Sequence, residues 1–314
     1  MCSGWNSVSL DSLGVLRARG ADVVSFLQGQ LSNDVALLGP GRSLLAGYHN
    51  PQGRVIALLH LVQASADEVL AILPRELTAA VASRLAKFIL RAKVRLADES
   101  PLWRLTGLVA PESPADPAPA FAGALPGALN DSARLGEAIA VRIGARPARW
   151  LLLSSAASAS PPAAFAACAP MAFERWRALA VAAGEPEICA ATSEEFVAQM
   201  LNLDVLGAIA FDKGCYTGQE VIARAHYRGR VKRRLQRFVT HSPVRLEPGD
   251  AGELSDGRAF KVVNAVALAD GRCEFLAVAP LAATDSAAGR PQPGAERATV
   301  ISAQQLALPY PLPP

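Results

Sequence analysis

What this chain lacks narrows its identity before any motif is read. No run approaches the ~18 consecutive apolar residues of a membrane-spanning helix, although 51% of its 314 residues are hydrophobic. The opening residues, Met-Cys-Ser-Gly-Trp-Asn, lack the basic and apolar stretches of a secretion signal, so a cytoplasmic location is expected. Cysteine is scarce: there are five, Cys2, Cys168, Cys189, Cys215 and Cys273, with no CxxC pair. Widely spaced thiols in odd number argue against a disulfide framework or a zinc knuckle and fit a reducing compartment. His49, His60 and His241 share no metal-ligand spacing with one another or with a cysteine, and read as structural or surface residues. No Ser/His/Asp arrangement and no internal repeat is visible.

What is present points to an α+β body with an all-β appendage. Strands are expected at 10–16, 44–48, 55–63, 69–73, 94–97, 103–109, 138–143 and 150–153. Turn chemistry at His49-Asn50-Pro51-Gln52-Gly53 separates two of them. Helices are expected at 21–31, after Pro74 where Leu77, Val81, Leu85, Phe88 and Ile89 recur at helical spacing, and at 171–183, stopped by Gly184 and Pro186. Residues 111–127 and 154–162 carry Pro, Ala, Gly and Ser without periodicity and read as surface excursions. From 231 onward only short strands alternate with Gly/Asp turns, which suits a small β-barrel followed by a disordered Pro-rich tail. The boundary is expected near 230, giving parts 1–230 and 231–314.

Chemistry concentrates in Lys213-Gly214-Cys215-Tyr216-Thr217-Gly218-Gln219-Glu220. Cys215 is the candidate reactive thiol, and Lys213 its expected electrostatic partner, because a nearby cation favours the thiolate. The alternative is that Cys215 packs as a small apolar residue. Gly214 and Gly218 permit close backbone approach to a ligand. Gln219 and Glu220 either hydrogen-bond that ligand or brace the loop. Beyond them, seven Lys/Arg and no acidic residue lie between Arg224 and Arg237, so the rest of a chain of net charge +3 is net acidic. If extended, Arg224, His226, Arg228, Arg230, Lys232 and Arg234 share one face. Such a stripe suits an anionic polyglutamate or a nucleic-acid backbone, or else is a solvated strand between domains. Only Tyr227 offers an aromatic nearby, which leaves base stacking with little support.

The signature, with its downstream Arg228-Gly229-Arg230, resembles that of the YgfZ family of folate-binding proteins, relatives of the glycine-cleavage T protein, an aminomethyltransferase. The resemblance extends to the run 26–35 (FLQGQLSNDV), to Asn50-Pro51-Gln52-Gly53-Arg54-Val55-Ile56, and to the segments 183–188 and 195–204. Together these anchor most of residues 10–235. It implies a T-protein-like folate-binding body of two lobes with a small C-terminal β-barrel, and tetrahydrofolate, plain or polyglutamylated, as ligand. Gln28, Asn33, Asp34, Gly214, Tyr216, Gly218, Gln219, Glu220, Arg224 and Arg228 are its candidate binding residues.

Two departures separate the chain from the aminomethyltransferases. Those enzymes carry acids just after the motif matching Gly53-Arg54-Val55-Ile56, where this chain has Ala57 and Leu58, leaving no base there. They also carry a pterin-contacting acid where this chain has Ala182; Glu185 or Glu187 could substitute. The resemblance therefore implies a folate-binding accessory protein, not a classical enzyme, that supports iron–sulfur enzymes, including tRNA-modifying ones. Its partners would be iron–sulfur client or assembly proteins and a tRNA-modifying enzyme, with no membrane. A folate-dependent one-carbon transferase and an RNA-binding module are the alternatives, the latter disfavoured by the acidic remainder of the chain.

Overall fold

The structure, a computed structural model, describes residues 4–111, 122–157, 168–229, 231–281 and 300–313. The chain opens with β1 (Asn6–Ser9), β2 (Leu13–Arg19), the short helix α1 (Val23–Gln28), β3 (Leu44–His49), β4 (Val55–Ser65) and β5 (Glu68–Pro74). Helix α2 (Arg75–Ala86), β6 (Arg95–Asp98), β7 (Trp103–Val109), β8 (Ser132–Leu135), β9 (Ala138–Gly144) and β10 (Arg149–Ser155) follow. Then come β11 (Ala169–Pro170) and helices α3 (Phe173–Ala182) and α4 (Gln219–Tyr227). The last strands are β12 (Arg233–Thr240), β13 (Ala251–Leu254), β14 (Ala259–Ala267), β15 (Cys273–Pro280), β16 (Val300–Ile301) and β17 (Ala303–Leu306).

Two sheets interleave along the first part of the sequence. One has the order β3-β4-β5-β2-β6 and the other β11-β1-β7-β10-β9-β8. Strands β4 and β5 of the first are buried on both faces, which is why they read as nearly continuous apolar runs. Strand β5 shows the logic at period two. Val69, Ala71 and Leu73 join one core, while Leu70 and Ile72 pack with Leu105, Ile139 and Leu151 of the second sheet. Helix α2 covers the first sheet through Thr78, Val81 and Leu85, with Glu76 in its first turn and Arg84 in its last, the signs its dipole favours.

The third sheet, β16-β13-β14-β15-β12-β17, contains only C-terminal strands. Strands β16 and β17 are consecutive in sequence yet pair with opposite edges, on β13 and β12. The sheet therefore curls into a nearly closed barrel around Phe238, Phe260 and Phe275, with the Phe238 and Phe275 rings stacked at 5.4 Å between centroids. The main core runs without a break from the first sheet into this barrel, through Leu201, Leu203, Leu235 and Leu276.

Several expectations are corrected. The helix expected at 21–31 spans only Val23–Gln28, and α2 stops at Ala86, leaving Phe88 exposed. The basic segment is not extended: α4 takes Arg224 and His226 into a helix, so the period-two face does not form. Arg234 is buried and bonds both oxygens of Asp204, Nη1 to Oδ1 at 3.0 Å and Nη2 to Oδ2 at 2.9 Å. Arg230 lies outside the described residues, as do Cys2, 112–121 and 158–167 of the expected excursions, and 282–299. The end of the chain is not loose, because β17 pairs with β12 and Tyr310 bonds to Gly184. Among the described residues no helix is long and apolar enough to cross a membrane.

The Arg234–Asp204 pair generates a prediction. Both side chains are nearly inaccessible, 5% and 9% exposed, so removing one partner leaves a buried charge without compensation. Asp204→Ala is expected to lower stability by about 3–5 kcal/mol in urea unfolding, whereas a double replacement by apolar residues of similar volume falls much less.

Candidate functional site

The signature forms a turn leading into α4. Gly218 caps the helix at φ +82, and a Cβ there would stand 2.5 Å from the carbonyl oxygen of Asn50. Glycine is required at this point because the turn Asn50–Gly53 lies directly against it. Gly214, by contrast, faces open space and has no positive φ.

Lys213 is seated by backbone carbonyls. Its ammonium donates to the carbonyl oxygens of Gln28 (2.7 Å), Leu31 (2.7 Å) and Asn33 (2.8 Å). An ammonium has three donors, and these contacts use them all. Desolvation lowers its pKa to about 8, with the Asp34 carboxylate opposing that fall. These bonds hold the signature against the end of α1 and the turn after it.

The N-terminal candidates join the same network. Gln28 donates through Nε2 to Asp34 Oδ1 at 2.8 Å and accepts from the amide of Val35 at 2.7 Å. Asp34 caps the turn after it by accepting from Ala36. Asn33 bridges two strangers in sequence, donating to Leu45 O at 2.7 Å and Gly207 O at 2.9 Å. Tyr216 is buried, with its ring 5.2 Å from the Lys213 ammonium and 6.2 Å from the His49 ring, and burial raises its hydroxyl to about 12. Cys215 is a free, exposed thiol. Glu220 pairs with Arg224 at 3.1 Å, both largely exposed, and Arg228 is exposed at the end of α4; such a surface pair contributes little. His226 stacks on Phe211 at 3.7 Å.

A separate site lies between the first two sheets and the end of α3. The cleft encloses a cavity of about 160 Å³ and opens to solvent. Leu58, Ile72, Leu151 and Trp176 supply apolar walls, and His60, Arg149, Glu185 and Glu187 supply the charged and titratable groups. No residue of the signature lines it, so the candidates cluster in one place and the cleft in another.

Arg149 is 1% exposed and donates to Glu185 at 2.6 Å, lying 5.5 Å over Trp176. Gly144 leaves it room, since a Cβ there would stand 2.6 Å from Arg149 Nε. That Nε, and Nδ1 of His60, have no partner among the described residues. Burial, reinforced by the Arg149 charge, lowers His60 to about 4, so the imidazole is neutral at physiological pH. Glu185 keeps 32% of its side chain accessible in the cleft, yet the protein around it raises its pKa by desolvation, with Arg149 opposing. Glu187 is raised by the same cause, with Arg177 opposing and Glu76 adding to the rise.

The sequence reading singles out Glu185 and Glu187, takes His60 as structural or surface, and passes over Arg149 and Trp176. A signal existed for two of them. Arg149 opens the apolar strand RWLLL, and His60 is the lone ring nitrogen-bearing residue in VIALLHLV. A single polar group in a doubly buried strand needs a partner or a ligand.

No family model matches the chain. The tRNA-modifying protein YgfZ of Enterobacter sp. (strain 638) is 33% identical over 273 residues, 84% of this chain and 82% of that protein. The tRNA-modifying protein YgfZ of Cronobacter sakazakii (strain ATCC BAA-894) is 31% identical over 273 residues, with the same coverage of 84% and 82%. The chain belongs to the YgfZ family. Its fold is that of the glycine cleavage system aminomethyltransferase T from Bartonella henselae, whose crystal structure matches with a TM-score of 0.67 at 16% identity, over 88% of this chain and 78% of that one. In this YgfZ-family chain, the apolar Ala57 and Leu58 of β4 are both buried, and Leu58 faces the cleft.

Two predictions follow from this geometry. In the folded protein, Cys215 is expected to react with an alkylating reagent well before the buried Cys168 and Cys273; peptide mass spectrometry of a labelling time course reads the order, and labelling of Cys273 first would contradict it. The second concerns pH. Glu185 and Glu187 are both held above the ordinary glutamate value of 4.5, so the folded state binds these protons more tightly than the unfolded state. The stability they contribute is full below about pH 4.5 and is lost as pH rises through the raised values. Glu185→Gln with Glu187→Gln should flatten that decline in denaturation midpoints measured across pH.

Proposed function

We propose that this chain binds a reduced folate in the cleft between its first two sheets and serves as an accessory factor in tRNA modification. It would support iron–sulfur enzymes without transferring the aminomethyl group itself. The relatives named tRNA-modifying protein YgfZ supply the biological context, and the aminomethyltransferase fold supplies the ligand class.

The observation that carries the ligand reading is the pair Glu185 and Glu187 at the wall of an otherwise apolar cleft. A pterin is flat, with a guanidine-like edge that a carboxylate meets through charge-assisted hydrogen bonds. Leu58, Ile72 and Trp176 offer faces to such a ring, while His60 Nδ1 and Arg149 Nε are buried polar atoms in want of a partner. The residues present therefore fit the ligand, although the acid sits on the turn after α3 and not at Ala182. Arg149 holds the Glu185 carboxylate in place, and the neutral His60 can donate or accept at the ligand. Arg224 and Arg228 do not line the cleft, so the reading rests on the ring and not on a polyglutamate tail.

The same cleft argues against turnover. Leu58 faces the ligand space where the aminomethyltransferases, on the resemblance, carry an acid. No base stands there to assist transfer. The exposed Cys215 suits a different task. One thiolate cannot hold an iron–sulfur cluster, which takes about four ligands, and no cluster of three or more potential metal ligands exists among the described residues. Cys215 would therefore act at an interface, as a transient ligand to iron or sulfur that a partner protein shares.

Calorimetric titration with tetrahydrofolate tests the reading. The native chain is expected to bind in the micromolar range, roughly −8 kcal/mol. Glu185→Gln with Glu187→Gln should weaken binding by at least about tenfold, since hydrogen bonds to charged groups contribute ~1.5–3 kcal/mol. Glycine-cleavage assays should show no turnover. Unchanged affinity in the double variant would remove the pterin from this cleft, and appreciable turnover would make the protein an enzyme.

A further inference from the structure

The turn bearing Glu185 and Glu187 is held from three sides. Helix α3 ends in a motif that fixes its first residues: Gly184 sits at φ +68, its amide bonds to Val181 O at 3.0 Å, and the Glu185 amide bonds to Ala180 O at 3.1 Å. The barrel fixes the far end, where the Glu187 amide donates to Asn264 Oδ1 at 3.0 Å. The third hold comes from residues 307–313, which leave the barrel after β17 and return to the body of the protein.

This C-terminal strap reaches the turn through Tyr310. Its hydroxyl donates to Gly184 O at 2.6 Å and accepts from Asn202 Nδ2 at 3.4 Å. Asn202 is itself wholly buried in a left-handed conformation at φ +57. Its Oδ1 accepts from Arg234 at 3.4 Å, and Arg234 is locked onto Asp204. The contact has no slack. A Cβ on Gly184 would stand 2.7 Å from Leu308 Cδ2 and 2.8 Å from the Tyr310 hydroxyl. Burial, the largest cause, pushes Tyr310 up to about 12, with the Glu185 charge adding to the rise. The hydroxyl therefore keeps its proton and remains a donor throughout the neutral range.

We propose that Tyr310 is a positioning residue, through which the C-terminal strap fixes the Gly184–Glu187 turn and so places the Glu185 carboxylate at the wall of the cleft. The consequence for ligand affinity rests on the folate reading above; the consequence for the turn does not. Arg149 orients the carboxylate by its side chain, whereas the strap sets the backbone from which that side chain springs. A change at the end of the sequence should therefore be felt at a cleft built from its first two sheets.

The test uses the full-length protein with Tyr310→Phe, which keeps the ring and removes the donor. Hydrogen–deuterium exchange is followed over the peptide spanning 180–190, and tetrahydrofolate affinity is measured in the native and Glu185→Gln backgrounds. Thermal melting confirms folding. Exchange at 184–187 should quicken and affinity fall by roughly three- to tenfold each, the range for one lost hydrogen bond. The loss of affinity should vanish in the Glu185→Gln background, because the two residues act as one unit. Gly184→Ala, which presses on the strap from the turn side, should reproduce both effects and serves if Tyr310→Phe does not fold. Unchanged exchange at 184–187, or an equal loss of affinity in both backgrounds, overturns the proposal. If the native chain binds no tetrahydrofolate at all, the folate reading fails, and the exchange rates alone decide whether the strap holds the turn.

Discussion

An ammonium taken out of water must be given acceptors, and Lys213 receives three backbone carbonyls from one short stretch. That arrangement joins two regions far apart in the sequence, and much of the body is arranged around it. Residues 28–33 can offer three carbonyls to one point only because α1 stops after Val23–Gln28 and the chain turns at once. The end of α1 leaves the Gln28 carbonyl without an intrahelical partner, and Lys213 donates to it and to the carbonyls of Leu31 and Asn33 in the turn that follows. With Lys213 seated, Tyr216 is carried into the core beside His49, and Gly218 is pressed onto the turn Asn50–Gly53. The signature is thus an assembled corner of the protein before it is anything chemical.

A second constraint shapes the cleft. Arg149 is almost wholly inaccessible, so its charge needs a carboxylate beside it. Glu185 does so at 2.6 Å, yet desolvation still dominates its pKa, and Glu187 stands in the same position without so close a cation. The cleft therefore keeps more acid than its cations neutralise. An excess of desolvated carboxylate is unfavourable for folding and favourable for a ligand that brings hydrogen-bond donors. Sites that bind often carry this signature, with desolvated titratable groups gathered at an apolar wall.

How much of this the sequence could reveal depends on the range of the interactions involved. Strands β4 and β5 were legible because burial on both faces leaves uninterrupted apolar runs, and α2 because Leu77, Val81 and Leu85 mark one helical face. The barrel was legible from turn spacing. Helix α4 was not: its sequence QEVIARAHY buries only Ile222, so no apolar stripe announces it, and its alternating cations imitate an extended strand. The order of residues 300–313 was hidden by their prolines, since the contacts that fix it, from Tyr310 to Gly184 and from β17 to β12, are long-range in sequence. Of the site, the motif residues could be named but not assigned partners. Nothing local to Lys213 says that its acceptors are Gln28, Leu31 and Asn33, and nothing local to Arg149 says that Glu185 will reach it.

The thiol and the cleft are built in different places, but the scaffold between them is short. Lys213 bonds to the backbone of Asn33, and the Asn33 side chain bonds to Leu45 O and Gly207 O. Leu45 lines the cleft, as does Leu206, the neighbour of Gly207. A chain of part-buried hydrogen bonds thus runs from the signature to two walls of the cleft. Displacement of Leu45 or Leu206 would bear on the carbonyls that hold Asn33, and through Asn33 on the seat of Lys213. Coupling between two sites needs an element with two arrangements whose balance both sites bias. The stretch 28–35 is bonded both to Lys213 and to Leu45 of β3, so one loop ties the seat of the signature to the wall of the cleft.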